Sequence, residues 1–495
     1  MPGMDATAPN LEIELKLELD PADRLRLQRA MPPQAVKSER RRLVSTYFDT
    51  PDGAVRRAGY ELLVRRHGKR RTQTVSAAGG SPAGLGSRGE WERDLPGDSP
   101  LLDGAGDPLL PAIGAAAAGR LAPVFVCAID RATWQVQVAE ADVQISLDSG
   151  SIQAGEARQP VCELELELRG GPPRALFDLA RLLDGAVPLR LGVRSKAERG
   201  YRLVGDAGRA AAKAEAVRLD PDMTATAAFA SIARVCMRHF RLNEAVLLED
   251  YHPEALHQAR VALRRLRSAL SLFGPLFDGD DDAALLDAQL QRFIAVLGDA
   301  RNLDVLAERL GRRAGAALDN ARAHARAHVR SELLSARSRT LVLDLAEWLS
   351  IGRWREAPAD PCTANRPIGA FAATTLDDAR KRLGRAGRGL AGLSGRRLHK
   401  VRMKAKRARY AAEFFGSLWT APKARRRQAA WLDRIERLQD VLGDLNDFAI
   451  GGQILAELGG ESQLPGGDDP HLAELRAEAG EALRTLMKGP PFWRA

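Results

Sequence analysis

In the segment LEIELKLEL, Glu12, Glu14, Lys16 and Glu18 alternate with Leu11, Ile13, Leu15 and Leu17. Residues two apart in a strand share a face, so the segment predicts a strand with one charged face and one aliphatic face. VCELELELR repeats the pattern, with Glu163, Glu165 and Glu167 opposite Cys162, Leu164 and Leu166, and Glu90 and Glu92 flank Trp91 in a third E-x-E. One such strand is ordinarily a strand with a solvated face. Three of them set like charges against one another across a sheet, which is destabilising; a divalent cation on the shared face resolves the conflict. An all-oxygen donor set favours Mg²⁺ or Mn²⁺, ions that leave coordination positions for water and phosphate.

A second set of chemistry-bearing residues is duplicated. LHQARVALRRLRSALSLF (256–273) aligns without gaps on LHKVRMKAKRARYAAEFF (398–415), 142 residues later. His257, Arg260, Arg264, Arg265, Arg267 and Phe273 thereby meet His399, Arg402, Lys406, Arg407, Arg409 and Phe415. VLGDARNLDV (296–305) is echoed by VLGDLNDFAI (441–450) at an offset of 145. On a helix, His257, Arg260, Arg264 and Arg267 fall within an arc of about 80°, and Leu263, Leu266, Leu270 and Phe273 face away. Residues 379–412 hold 13 Lys/Arg and no acidic residue. Solvated faces usually mix signs in i,i+4 pairs, so one-signed, duplicated stripes favour a polyanion site. The LGD segments are expected to end helices, with Asp299, Asp304, Asp444 and Asp447 bonding caps or arginine partners. His324 and His328, at i,i+4, read as an ordinary exposed helix rather than a metal pair.

The elements that must position these groups change character along the chain. Up to about residue 204 the pattern is mostly β, with TWQVQV and DVQISLD as further strands and 77–89 a loop by composition. Residues 205–222 have no apolar period and read as a linker. Helical periodicity follows over 223–249, 253–274, 283–313, 320–350, 368–391, 396–416 and 423–458. The expected domains are 10–204, then 223–495, the latter in two repeats at about 223–350 and 366–495. At 495 residues the chain is too long for one core. Its net charge of +10 is uneven: residues 1–205 carry 28 Lys/Arg against 27 Asp/Glu, and residues 206–495 carry 46 against 37. An anionic partner is therefore sought in the second part. Four scattered cysteines without a CxxC argue against a disulfide framework or zinc ribbon. With no leader-like start and no run of apolar residues long enough to span a bilayer, the expectation is a soluble cytoplasmic protein without membrane partners.

Glu12-Ile13-Glu14-Leu15-Lys16 resembles the E-x-E-x-K signature of the CYTH superfamily, the triphosphate tunnel metalloenzymes. Further matches follow in family order: Tyr47-Phe48-Asp49-Thr50, Arg65, Glu90-x-Glu92, Arg131-x-x-Trp134, Leu147-Asp148-x-Gly150, Cys162 to Glu167, and Ser195-Lys196-x-x-Arg199-Gly200-Tyr201. The resemblance covers about residues 10–204. It implies a closed antiparallel β-barrel with a polar tunnel and hydrolysis of inorganic triphosphate. Glu12, Glu14, Glu163 and Glu165 would hold the metal. Lys16, Arg65, Arg131 and Lys196 would clamp phosphate, and Glu90, Glu92 or Asp148 would hold a second metal or orient water. Two positions depart from the pattern: Leu63 and Ser76 stand where the family carries an arginine and a lysine. The basic repeats resemble the CHAD domain over about 223–495, which implies polyphosphate binding through His257, Arg260, Arg264, Arg265, Arg267, His399, Arg402, Lys406, Arg407 and Arg409, between two helical bundles.

The fold expected is thus multidomain α+β, a closed barrel followed by two duplicated all-α bundles. The main reading is a metal-dependent triphosphatase that binds polyphosphate. The alternative is a non-catalytic protein with a degenerate tunnel, associated with polyphosphate granules; Leu63 and Ser76 speak for it. Nucleic acid is disfavoured, because aromatics are 5% of residues and only Tyr410 near the basic stripes would stack a base. Oligomeric state and substrate chain length stay open.

Overall fold

The computed structural model describes residues 13–77, 84–85, 89–103, 108–205, 210–459, 464–465 and 469–494. Glu12 and most of the 77–89 loop lie outside the described residues. The chain divides into two compact units, Met1–Ala210 with Arg339–Ile351, and Ala211–Ser338 with Gly352–Ala495.

The first unit opens with β1 (Ile13–Glu18), α1 (Arg24–Arg29), β2 (Val36–Asp49), α2 (Ala54–Arg57), β3 (Tyr60–His67), β4 (Arg70–Ala77) and β5 (Glu90–Asp94). It continues through α3 (Leu109–Ile113), α4 (Ala115–Ala118), β6 (Ala122–Val138), β7 (Ala141–Ala154), β8 (Ala157–Gly170), α5 (Arg174–Asp184), β9 (Arg190–Leu191) and α6 (Lys196–Val204). The strands form one antiparallel sheet in the order β5-β4-β3-β2-β6-β7-β8-β1-β9. The closed barrel expected from the sequence is not formed by strand pairing: β5 and β9 end the ladder, and no pair joins them among the described residues. β9 has only two residues, too few backbone groups to carry a further partner strand.

Directly opposed residues in adjacent strands project to the same face, so the register shows which side chains share a surface. One row runs Glu18–Glu163–Asp148–Arg131–Arg41, and the next runs Lys16–Glu165–Ser146–Thr133. Further along this face the side chains turn apolar. Leu43, Tyr47, Leu63, Phe125, Cys127, Ile129, Ile152 and Val161 form a buried cluster that includes Ala197 of α6. The opposite face buries Phe48, Val55, Leu62, Val64 and Val75. Gly150 permits the close approach of β6, since a β-carbon there would collide with the Ala128 carbonyl.

The second unit holds α7 (Ala225–Glu249), α8 (Pro253–Leu272), α9 (Asp281–Leu310) and α10 (Ala316–Leu334). After α11 (Ala336–Ile351) and α12 (Pro361–Ala364) come α13 (Ile368–Ala386), α14 (Gly395–Phe415), α15 (Pro422–Glu457) and α16 (Pro470–Lys488). α7 to α10 pack on one another in sequence, as do α13 to α16, and the two sets meet through α8 with α14 and α9 with α15. The duplication extends to the core: Phe229 and Phe371 are equivalent, as are Phe273 and Phe415. Phe273 stacks on Phe371 with ring centroids 4.6 Å apart and lies 5.9 Å from Phe415.

Three expectations are corrected here. The helix read over 320–350 breaks at Ser335, whose backbone is extended and whose Oγ accepts from the Ser338 N–H at 3.1 Å. That break starts α11 afresh, and residues 339–351 of α11 cluster with the first unit. The LGD segments do not end helices: Asp299 and Asp304 lie within α9, and Asp444 and Asp447 within α15. Arginine partners are found instead, Arg322 and Arg326 on Asp304 and Arg309 on Asp444 and Asp447. Lastly, the described part of the 205–222 segment is not loose. Asn243 accepts from the Ala212 N–H and donates to its carbonyl, both at 3.0 Å, and His239 Nε2 lies 3.0 Å from the same carbonyl.

Candidate functional site

Strand alternation on β1, β6, β7 and β8 brings Lys16, Arg131, Asp148, Glu163 and Glu165 onto one face, and α6 adds Lys196 from its first turn. The α6 start is written locally in Ser-Lys-Ala-Glu: Ser195 and Glu198 form a reciprocal capping box, which fixes where Lys196 emerges. The other end of α6 is fixed by Tyr201, which packs edge-on against Phe125 at 5.2 Å and donates to Asp49 at 3.1 Å.

The result is a dense network of opposite charges. Arg131 grips Asp148 with two bonds of 2.6 and 2.7 Å and reaches Glu165 at 2.6 Å. Lys196 contacts Asp148 at 2.7 Å, Glu165 at 3.0 Å and also Glu163. Lys16 lies 3.2 Å from Glu165 and 3.6 Å from Glu163. Burial alone would push the Lys196 ammonium down, but Asp148, Glu163 and Glu165 overcome it and hold its pKa well above the lysine range. Burial would likewise raise Glu165, yet Lys196, Arg131 and Lys16 hold it well below the carboxylate range. Lys196 and Glu165 are therefore both ionised at neutral pH.

One oxygen each from Asp148, Glu163 and Glu165 lies within 4.8 Å of the others. Asp148 and Glu163 are fully buried, and neither Glu163 oxygen has a hydrogen-bond partner of good geometry. A compact all-oxygen set with unsatisfied lone pairs fits a hard divalent cation. This grouping differs from the one expected, since Asp148 takes the place given to Glu14. Glu14 sits opposite Glu167, one row along from Lys16 and Glu165, and Glu12 lies outside the described residues.

The remaining tunnel candidates share the face but stand elsewhere on it. Arg65 lies opposite Ser45 and bonds its Oγ at 3.3 Å; among the described residues it has no carboxylate partner. Glu90 and Glu92 are on the edge strand β5, and Glu92 accepts from Thr74 Oγ1 at 3.0 Å. Leu63 is buried against Tyr47 and Phe125; Ser76 is buried opposite Glu61 and Glu90. Arg199, missed as a contact from the sequence, comes within 3.6 Å of Glu163. Its position one turn after Lys196 was the available signal.

In the helical unit, α8 and α14 line a groove of about 1150 Å³. Arg260, Arg264, His399, Arg402, Lys406 and Arg407 all face it. Among the described residues no carboxylate lies within ion-pair distance of Arg260, Arg264, Arg402, Lys406 or Arg407. Burial and the charges of Arg264, Arg402 and Arg260 push Lys406 down to about 5, and burial with neighbouring arginines lowers Arg260 to about 10. The other stripe residues are placed differently. Arg267 lines the groove but is held by Asp287 at 2.7 and 2.9 Å. Arg265 is buried on Glu413 at 3.0 Å, and Arg409 bonds the other oxygen of Glu413 at 2.8 Å. Neither faces the groove, and nor does half-buried His257. The alignment could not separate these fates, because Glu413 has Ser271 as its repeat equivalent.

Two known families match the chain. Residues 10–201 match the CYTH domain family and residues 231–456 the CHAD domain family. An inorganic triphosphatase of Haemophilus influenzae is 29% identical over 198 residues, 39% of this chain and 54% of that protein; the chain thus spans about half the length of this curated relative. The CHAD domain of the plant Ricinus communis is 28% identical, covering 56% of this chain and 91% of its own, with a TM-score of 0.44. A Hippeastrum protein described as having a dominant triphosphatase activity is 18% identical, covering 38% of this chain and 96% of its own, with a TM-score of 0.30. The chain thus carries a CYTH domain at residues 10–201 and a CHAD domain at residues 231–456.

Proposed function

We propose that the protein is a divalent-metal-dependent inorganic triphosphatase whose basic helical groove holds polyphosphate. The observation that carries the reading is the pairing of Asp148, Glu163 and Glu165 with Lys16, Arg131 and Lys196 on a single face. Phosphoryl transfer is catalysed mainly by positioning and by neutralising charge, and this face supplies both signs at close range. Asp148, Glu163 and Glu165 would hold Mg²⁺ or Mn²⁺, which when bound neutralises phosphate oxygens and acidifies water. Lys16, Arg131 and Lys196 then exchange their carboxylate partners for phosphate oxygens. Arg65, without a carboxylate partner among the described residues, adds a fourth clamp. Glu14, Glu90 or Glu92 would orient water. A tunnel closed by curvature of the sheet, rather than by strand pairing, would bring β5 across from β1.

Leu63 and Ser76 favour a second reading, a polyphosphate-binding protein without catalysis. Each missing charged hydrogen bond removes about 1.5–3 kcal/mol. Phosphate release from triphosphate by the full-length protein, with Mg²⁺ or Mn²⁺, decides between them. Glu163→Gln and Asp148→Asn should each lower the rate by at least about 10–100-fold, the loss typical even of partners one shell out from a metal. Release unaffected by either substitution defeats the site. No release by the wild type with any divalent metal, alongside polyphosphate binding, selects the second reading.

A further inference from the structure

The groove is lopsided in a way the duplication does not require. Lys400, Lys404 and Arg407 recur at i, i+4 and i+7 on α14, forming a second cationic strip beside His399, Arg402 and Lys406, and all three line the groove. Arg382 of α13 extends the strip: its charge acts on both Lys404 and Arg407, adding to burial in lowering their pKa values. Among the described residues none of these four cations has a carboxylate within ion-pair distance. Lys400 and Arg382 are exposed, so nothing in the fold requires four like charges to stand together.

The equivalent positions of the first repeat carry no such strip. They are Gln258, Ala262, Arg265 and Phe240, of which Ala262 and Phe240 are buried and Arg265 is spent on Glu413. The first repeat contributes Asp278, Asp280 and Asp281 to the groove lining, together with Asp287 on Arg267. An anionic chain in the groove is therefore attracted along α14, with no equivalent cationic strip along α8.

Resting on the reading of the groove as a polyphosphate site, we propose that a bound chain runs along the α14 side of it, over Lys400, Lys404 and Arg407, and on to Arg382, with no counterpart along α8. From Lys400 to Arg407 the strip runs about 10 Å along the helix, room for several further phosphates. The overhang makes affinity depend on chain length, because short chains are satisfied by Arg260, Arg264, Arg402 and Lys406 alone.

The test uses the full-length protein and long-chain polyphosphate, with binding followed across a salt series. Arg382→Gln with Lys400→Gln and Lys404→Gln should weaken binding about tenfold or more and flatten the slope of log affinity against log salt by about two to three. The control is Lys423→Gln with Arg425→Gln and Arg426→Gln, which removes the same charge from exposed positions of α15 that do not line the groove. It should change the slope little. Circular dichroism melts report whether both variants stay folded. Equal losses in the two variants overturn the strip while leaving the groove reading intact. Absence of binding by the wild type removes the groove reading, and the strip with it.

Discussion

Lys406 shows what a single position gains from its surroundings. Arg260 and Arg264 of α8 and Arg402 of its own helix face it, with His257 and His399 nearby. Asp447 of α15 acts in the opposite sense, and it does not offset the burial. With its pKa pushed down to about 5, the amine is neutral at pH 7 in the free groove. A bound polyanion favours the ammonium and raises the pKa in the complex. Protons are thus taken up on binding, and affinity falls as pH rises, by at most about tenfold per unit for one proton. The two histidines, also held low by burial and nearby arginines, contribute with the same sign at lower pH. Calorimetry in buffers of different ionisation enthalpy at pH 8 should show proton uptake by the wild type. Lys406→Arg, charged in both states, should bind with little uptake; unchanged uptake in that variant places the linkage elsewhere.

Among the elements, α11 stands apart because it lies within the CHAD-matching sequence while its residues 339–351 pack with the CYTH unit. Arg339 bonds Asp184 at the end of α5 at 2.6 Å, and Asp184 in turn accepts from the Leu189 N–H at 2.8 Å. Arg181 of α5 contacts Asp344 at 2.8 Å and also reaches Glu347. The Arg339–Asp184 pair is largely buried, so deleting one partner strands the other. Arg339→Ala should destabilise the first unit by about 3 kcal/mol, seen as an earlier phase in chemical denaturation of the full chain. A denaturation profile identical to wild type would show that α11 is held by its apolar contacts alone. The same packing means that a fragment ending near residue 204 lacks part of its own unit.

At the scale of the whole molecule, charge and duplication set the expected behaviour. The excess of Lys/Arg lies almost wholly in residues 206–495, and among the described residues Arg260, Arg264, Arg402 and Arg407 line the groove with no carboxylate within ion-pair distance. Polyphosphate affinity should therefore fall steeply with salt. Arg264→Gln with Arg402→Gln should lower the affinity about tenfold or more and flatten the salt slope by about two. Arg265→Gln, by contrast, should leave that slope unchanged and act through stability, since its guanidinium serves Glu413. A slope as shallow in Arg265→Gln as in the groove variant would contradict this division of the stripe.

Which residues share a face was legible from the sequence, because alternation along a strand and the 3.6-residue helical period are local geometry. Lys16, Glu163 and Glu165 were named from such patterns, as was the exposed helix carrying His324 and His328, whereas Asp148 and Lys196 came from the resemblance to the CYTH family. Tertiary structure alone decided what each charge meets. That Asp148 rather than Glu14 joins Glu163 and Glu165 follows from strand register, which pairs residues far apart in the chain. That Arg265 and Arg409 close on Glu413 while Arg264 and Lys406 stay open follows from the packing of α8 on α14. The course of α11 was hidden for the same reason: its apolar period predicts a buried face, but not which unit buries it. Local sequence sets the direction a side chain points, whereas its partners come from parts of the chain that only the fold brings near.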